Sequence, residues 1–216
     1  MLIDKTYFQG DISIPNTTEV NYENDLLQIL IESKSSSFLE SVLGHENFED
    51  LKDNTDANGN LLPTAEQRWK DLVNGKQYTL NSQHYYFKGL IQSGVLYKTS
   101  IIADFVFCEW LRQTRSQASG VGEVVLSAQN AINVNSTSKL VSIWNRFMKE
   151  FGDIHYSHCH IHCIKGVPFY DYFNGGNKNY VSLTQFLIHF NEVYIDCPLK
   201  LPVYVENHGT INSLGI

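Results

Sequence analysis

Residues 98–113 read KTSIIADFVFCEWLRQ, and this stretch decides the fold. Ile101, Ile102, Phe105, Val106, Phe107, Trp110 and Leu111 occupy most of the circumference of a 3.6-residue repeat. A helix that apolar on all sides sits in the middle of a protein, because no face of it is suited to water. Arg112 and Arg115 suit the negative end of such a helix. Cys108, within the apolar run, reads as a small core residue. The helical reading extends over 85–117, with Leu96 as a further apolar position and Gly89 and Gly94 as the points where it would break.

Outward from this centre, other helices are expected to cover it. Asn21 to Leu43 places Leu26, Leu27, Leu30, Ile31, Phe38, Leu39, Val42 and Leu43 close to a three-and-four spacing. Glu19, Glu23 and Asp25 lie near its positive end and Gly44 is a stop signal. The run Ser33-Lys34-Ser35-Ser36-Ser37 would weaken or kink it. Residues 46–60 are polar and read as a surface loop. Thr64, with Gln67 three residues on, is a capping candidate for a short helix that buries Trp69, Leu72 and Val73 and ends at Gly75. Ser136 or Thr137 caps a helix to Phe151, with Leu140, Val141, Ile143, Trp144, Phe147 and Met148 at helical spacing. Ser182 to Phe190 offers a last helix through Leu183, Phe186, Leu187 and Phe190. The first twenty residues read as an extended leading segment. Gly120-Val121-Gly122 followed by Val124 and Val125 reads as a glycine loop or short β-hairpin.

The expected fold class is therefore mainly α: a helical-bundle core over 1–152, then a C-terminal extension over 153–216 with short strand and helix elements and an extended arm. Pro198 and Pro202 suit such an arm. The tail Asn212-Ser213-Leu214-Gly215-Ile216 is uncharged and could pack against something.

Composition narrows the class. The chain has 216 residues, 43% hydrophobic and 18% charged, so it can bury a core without disulfide staples. No apolar run approaches the ~20 residues of a membrane span. The start, Met1-Leu2-Ile3-Asp4-Lys5, lacks signal-peptide features, so cytoplasmic synthesis is expected. Residues 1–75 hold 14 Asp and Glu against 5 Lys and Arg; residues 76–216 hold 9 against 11. An acidic front half repels phosphate and argues against a nucleic-acid-binding face there. Cys108, Cys159, Cys163 and Cys197 are too few and scattered for a disulfide framework.

One constellation could carry chemistry: His155-Tyr156-Ser157-His158-Cys159-His160-Ile161-His162-Cys163. On a strand, His158, His160 and His162 share one face while Cys159 and Cys163 share the other. Imidazoles and thiolates are zinc ligands. Residues two apart can share an ion, but a third from the same strand is hard to bring within ~2.1 Å. His84, His189, His208 and Cys197 are isolated and complete no set. The alternatives are a polar surface strand, histidines at a subunit contact, or a pH-sensitive interface. Asp53, Asp56 and Asn58 miss the spacing of a calcium loop. Neither a nucleophile elbow nor a phosphate loop occurs. The motifs require no catalysis and no cofactor. Tyr85-Tyr86-Phe87 and Phe169 to Phe173 are divided between core and protein interface.

The order of features resembles the head–tail connector (adaptor) proteins that form a ring beneath the portal of tailed bacteriophages. The carrying segments are LLQILIESKSSSFLESVLG (26–44), WKDLVNG (69–75), KTSIIADFVFCEWLRQ (98–113) and the loop region 114–131. The capped helix around Trp144 and the tail 212–216 also look like the variant found in phages and prophages of Bacteroides-like hosts. The resemblance implies a non-enzymatic virion protein of the neck: a homo-oligomeric, commonly dodecameric ring. It would contact the portal on one side and further neck or tail proteins on the other, with genomic DNA passing through its channel without sequence-specific binding. No membrane is involved in that reading. The histidine–cysteine segment departs from the small adaptors. A rival of another class is a zinc-binding hydrolase or zinc-stabilised binding module centred on 155–163.

Overall fold

The computed structural model describes residues 2–14, 22–94, 97–114, 117–119, 122–124, 137–152 and 179–199. The fold is mainly α, with six α-helices among the described residues and three small sheets. The histidine–cysteine segment 155–163, the aromatic cluster 169–173, Ser136 and the tail 212–216 lie outside the described residues.

Helix α4 (Ile101–Thr114) is the centre. Ile101, Ile102, Ala103, Val106, Phe107 and Cys108 are all buried. Burial, with Asp104 and Glu109 nearby, pushes the Cys108 thiol up to about 12, which fits an inert core residue. Helices α1 (Tyr22–Leu43) and α5 (Thr137–Phe151) both pack on α4. The three helices meet in an aromatic knot: Phe38 of α1 lies 5.1 Å from Phe105 and 5.8 Å from Phe147 between ring centroids, and Phe147 stacks on Phe151. Contacts of this kind add to the area that the rings bury.

An ion pair between buried Asp104 and half-buried Arg146 fixes how α5 sits on α4. Arg146 donates from Nε and one Nη to the two oxygens of Asp104, at 2.7 and 2.6 Å. Burial raises the Asp104 carboxyl above its ordinary range and the Arg146 hydrogen bonds oppose the rise. The fork geometry holds the charge where an unpaired carboxylate would be costly.

Helix α1 runs unbroken through its serine run. Ser33 and Ser37 are exposed on the outer side, Ser36 is half-buried, and Leu27, Ile31, Phe38, Leu39 and Leu43 anchor the inner side. Gly44 ends it at φ 79°, as expected, but the chain turns at once into α2 (His45–Asp53). The surface loop expected over 46–60 is thus half helix, because Phe48 and Leu51 bury on one side of it. The Asn47 side chain caps a free carbonyl of α1 by donating to Leu43 O at 2.7 Å. Helix α3 (Gln67–Asn74) buries Trp69, Leu72 and Val73 and stops at Gly75, as the spacing predicts. Its N-cap is Glu66 and makes no side-chain cap bond, so Thr64 is not the cap.

Two further expectations need correction. The leading segment is compact: turns of 3₁₀ helix at Lys5–Tyr7 and Gly10–Ile12 carry Leu2, Ile3, Tyr7, Phe8, Ile12 and Ile14 into the core. The helix read over 85–117 begins only at Ile101. Before it come β1 (Lys76–Leu80), β2 (Gln83–Phe87), β3 (Ile91–Ser93) and β4 (Lys98–Ser100). Strands β1 and β2 form a hairpin through Asn81 and Ser82, both at positive φ, which matches the twist of a two-residue turn. Ser100 closes the β3–β4 hairpin by donating to Leu90 O, and its hydroxyl accepts from Ile102 N–H to cap α4. Strands β5 (Gln117–Ser119) and β6 (Gly122–Val124) pair antiparallel, which is the expected glycine hairpin.

Within the extension, β7 (Asn179–Val181) adds to β2 in parallel, giving the order β1-β2-β7. Helix α6 (Leu183–Val193) starts on a Ser182 side-chain cap and lies against the sheet. Phe186 stacks on Phe87 at 4.2 Å, and Leu183, Phe186, Leu187 and Phe190 belong to the same core as α4. Thr184 ties this helix to the end of α5 by donating to Phe151 O at 2.8 Å.

The chain crosses itself between α3 and the sheet. Gly75 and Gly89 both sit at φ 92°, and a Cβ built on Gly89 would lie 2.5 Å from Gly75 N. Only glycine fits either position. Gly89→Ala is expected to cost about 2–4 kcal/mol through backbone strain and overlap. In a domain of this size that lowers the melting temperature by at least about 5 °C. Gly94→Ala, whose nearest neighbours are the Tyr97 carbonyl and ring, serves as the control and stays within a degree or two. Equal melting temperatures for the two variants, measured by circular dichroism, would contradict the crossing.

Candidate functional site

The sheet has two unlike faces, and the pleat assigns residues to them. Tyr78, Tyr85, Phe87 and Val181 face α6, whereas Gln77, Thr79, His84, Tyr86 and Tyr180 face the other way. The aromatic stretch 85–87 is thereby split. Tyr85 and Phe87 are packing residues, and Tyr86 stands on the open face with its ring at 84° to that of Tyr180, 5.0 Å away.

A groove of about 560 Å³ runs beside these two rings. Its walls include Asn74 from the end of α3, Gln92 and Tyr97 from the β3–β4 hairpin, and Lys88 between them. Lys88 and Tyr180 also line a small neighbouring cavity of about 40 Å³ with Lys149, Glu150 and Ser182. Lys88 Nζ lies 3.4 Å from Glu150. Burial, with Lys88 close by, lowers the Lys149 ammonium below its ordinary value. None of the groove residues but Tyr86 was marked by sequence. Asn74, Gln92 and Tyr180 come from three separate elements and Lys88 and Tyr97 from connecting turns, and no spacing connects them.

A second group of titratable side chains, around Asp71, serves the packing of α6. Asp71 is buried and receives Lys76 Nζ at 2.8 Å, Gln67 Nε2 at 2.6 Å and the Tyr194 hydroxyl. Burial pushes its carboxyl up, and those hydrogen bonds more than reverse the effect, leaving it below the usual range. Burial and the Asp71 carboxylate push the Tyr194 phenol well up. Asp56, a residue of the rejected calcium loop, accepts from Asn58 N–H and Asn60 N–H at 2.9 and 2.8 Å, holding its own turn.

His189 packs edge-on against a stacked pair of tyrosine rings, 4.9 Å from Tyr85 and 5.9 Å from Tyr78 between centroids. Gln185 Nε2 donates to its Nε2 at 2.8 Å, so Nδ1 carries the proton and meets the Tyr78 hydroxyl at 2.9 Å. Burial lowers its pKa, with Glu192 opposing. The metal reading for His158, His160, His162, Cys159 and Cys163 falls outside the described residues. Among the described residues, no three His, Cys, Asp or Glu side chains converge to hold an ion, and no helix is long and apolar enough to cross a membrane.

Large apolar side chains stand exposed on two helices. Leu26 and Ile29, 47% and 61% exposed, lie on the outer side of α1. Ile188 of α6 and Ile195 just beyond it are 65% and 79% exposed.

A depressed histidine contributes stability that is fully present above its unfolded pKa of about 6.5 and lost as pH falls toward the folded value. The urea midpoint of the protein therefore falls more between about pH 7.5 and about pH 5.5 than that of His189→Gln. Identical pH slopes would contradict the neutral, bonded state of His189. No family model, no curated protein and no solved structure matches this chain.

Proposed function

We propose that this protein is a structural subunit of a phage virion, part of a ring that connects the portal of the head to the tail around a DNA channel. The observation that carries the reading is the pair of exposed apolar sites on separate helices, Leu26 with Ile29 on α1 and Ile188 with nearby Ile195 at α6. A ring is built from heterologous contacts, in which one patch of each subunit meets a different patch of the next. Two distinct apolar sites would supply such a pair of unlike surfaces. The resemblance of segments 26–44, 69–75 and 98–113 to connector proteins supports the same reading.

In this role the subunit is not an enzyme and holds no cofactor. Its partners are copies of itself, commonly twelve in the family it resembles, the portal on one side and neck or tail proteins on the other. DNA passes through without sequence-specific contact. The working location is the neck of the virion, after synthesis in the host cytoplasm.

Mass photometry tests the proposal. The expected result is a closed multiple of the 24.7 kDa subunit, alone or on addition of portal protein. Leu26→Asp with Ile29→Asp reduces it to monomer while the far-ultraviolet spectrum is unchanged. A lone 24.7 kDa species under both conditions overturns the ring. Stoichiometric zinc, lost together with an enzymatic activity in His158→Ala and His160→Ala, would move the reading to the zinc module.

A further inference from the structure

We infer that the groove between the open face of the β1-β2-β7 sheet and the β3–β4 hairpin is a binding site for a saccharide. This site stands apart from the ring contacts and does not depend on them.

Three features of the groove point to that ligand class. The first is the aromatic arrangement. Tyr86 and Tyr180 are half-buried, nearly perpendicular and 5.0 Å apart, and Tyr97, 62% exposed, stands on the hairpin. A tyrosine offers an apolar ring face and a polar tip at once. A pyranose needs both: its axial C–H groups rest on a ring face and its equatorial hydroxyls require hydrogen-bond partners. A nucleobase or another flat aromatic ligand would instead need a slot between parallel rings. The 84° angle between Tyr86 and Tyr180 leaves no such slot between them.

The second feature is the polar lining. Asn74, Gln92, Ser93, the three phenols and Lys88 supply amide, hydroxyl and ammonium groups, and no carboxylate is among the described lining residues. The amides and hydroxyls donate and accept, matching a sugar hydroxyl, which does both. The Gln92 carbonyl already receives Thr99 Oγ1 at 3.4 Å, so its amide nitrogen is the group left to donate. A cationic ligand finds no counter-charge here. An extended peptide would require a row of backbone partners that these side-chain tips do not form.

The third feature is shape. About 560 Å³ lies within the range of small-molecule sites, and the groove is open to solvent. The groove is also built on stiff parts. Tyr86 and Tyr180 are direct cross-strand partners in the parallel register, and Asn74 and Lys88 flank the Gly75–Gly89 crossing. Gly94 N–H donates to Tyr97 O at 2.8 Å, and the Tyr97 ring lies beside Gly94.

Isothermal titration of the full chain tests the site with four probes: chitotetraose, cellotetraose, maltotetraose and tetragalacturonate. At least one is expected to bind with a Kd of about 1 mM or tighter. Tyr86→Ala or Tyr97→Ala should weaken that binding at least about tenfold. Tyr97 is exposed, so its variant keeps the melting temperature and separates loss of the site from loss of the fold. Adenosine monophosphate and a hexaglutamate peptide serve as comparison ligands. Four outcomes would overturn the inference: no probe binding at about 10 mM, binding of only the nucleotide, binding of only the peptide, or saccharide binding that both tyrosine variants leave unchanged.

Discussion

The structure depends on covering α4. Seven of its first eight residues, Ile101 to Asp104 and Val106 to Cys108, are buried and Phe105 packs partly buried against the same core, so water has to be kept from nearly every side of its first two turns. No single partner can do that. Helix α1 covers one flank, α5 another, and the leading turns around Tyr7 and Ile12 contribute further apolar side chains. Full burial of each large side chain is worth about 1.5–3 kcal/mol, so Ile101, Ile102, Val106 and Phe107 make this helix a large local source of stability. The Asp104–Arg146 fork adds direction to an otherwise greasy contact, because hydrophobic packing alone does not fix the rotation of α5.

A second constraint determines where the sheet can lie. Gly75 and Gly89 let two stretches of backbone approach more closely than any side chain would permit. That contact holds the end of α3 against the β2–β3 connection. Once it is made, one face of the sheet is committed to α6 through Phe87 and Phe186, and the tyrosines of the other face border a groove. The groove and the core are thus two sides of the same three strands. The Asp71–Lys76–Tyr194 cluster reinforces the covered side by linking α3, β1 and the residue that follows α6.

How much of this could be read from sequence follows from where the signal was local. Helices α1, α3, α5 and α6 were legible because Phe38, Trp69, Phe147 and Phe186 recur with neighbours at helical spacing, and because Gly44, Gly75 and Gly152 stop them. The strands of 76–100 were not. Tyr85 and Phe87 alternate with His84 and Tyr86, but three aromatics in a row hide a period of two. The hairpin turn is Asn81-Ser82, which lacks the usual glycine, so the strongest short-range sign was missing. Gly89 looked like a break in a helix because its true reason, contact with Gly75, lies fourteen residues away in the chain. The compact leading segment was missed for a similar reason. Leu2, Ile3, Tyr7 and Phe8 have no helical or strand period, and only the tertiary core gives them a place. Of the candidate groove, Tyr86 alone carried a sequence signal, since the remaining residues converge only through folding.

Native-state hydrogen exchange, followed amide by amide, tests most directly whether α4 organises the rest. If it does, the amides of residues 105–108 exchange only through global unfolding, with the full stability of the domain, on the order of 5–15 kcal/mol. Those of α6 and the β3–β4 hairpin then open at lower free energy while α4 stays closed. Exchange of the α4 amides before those of α6, or at a free energy well below global unfolding, would contradict the account.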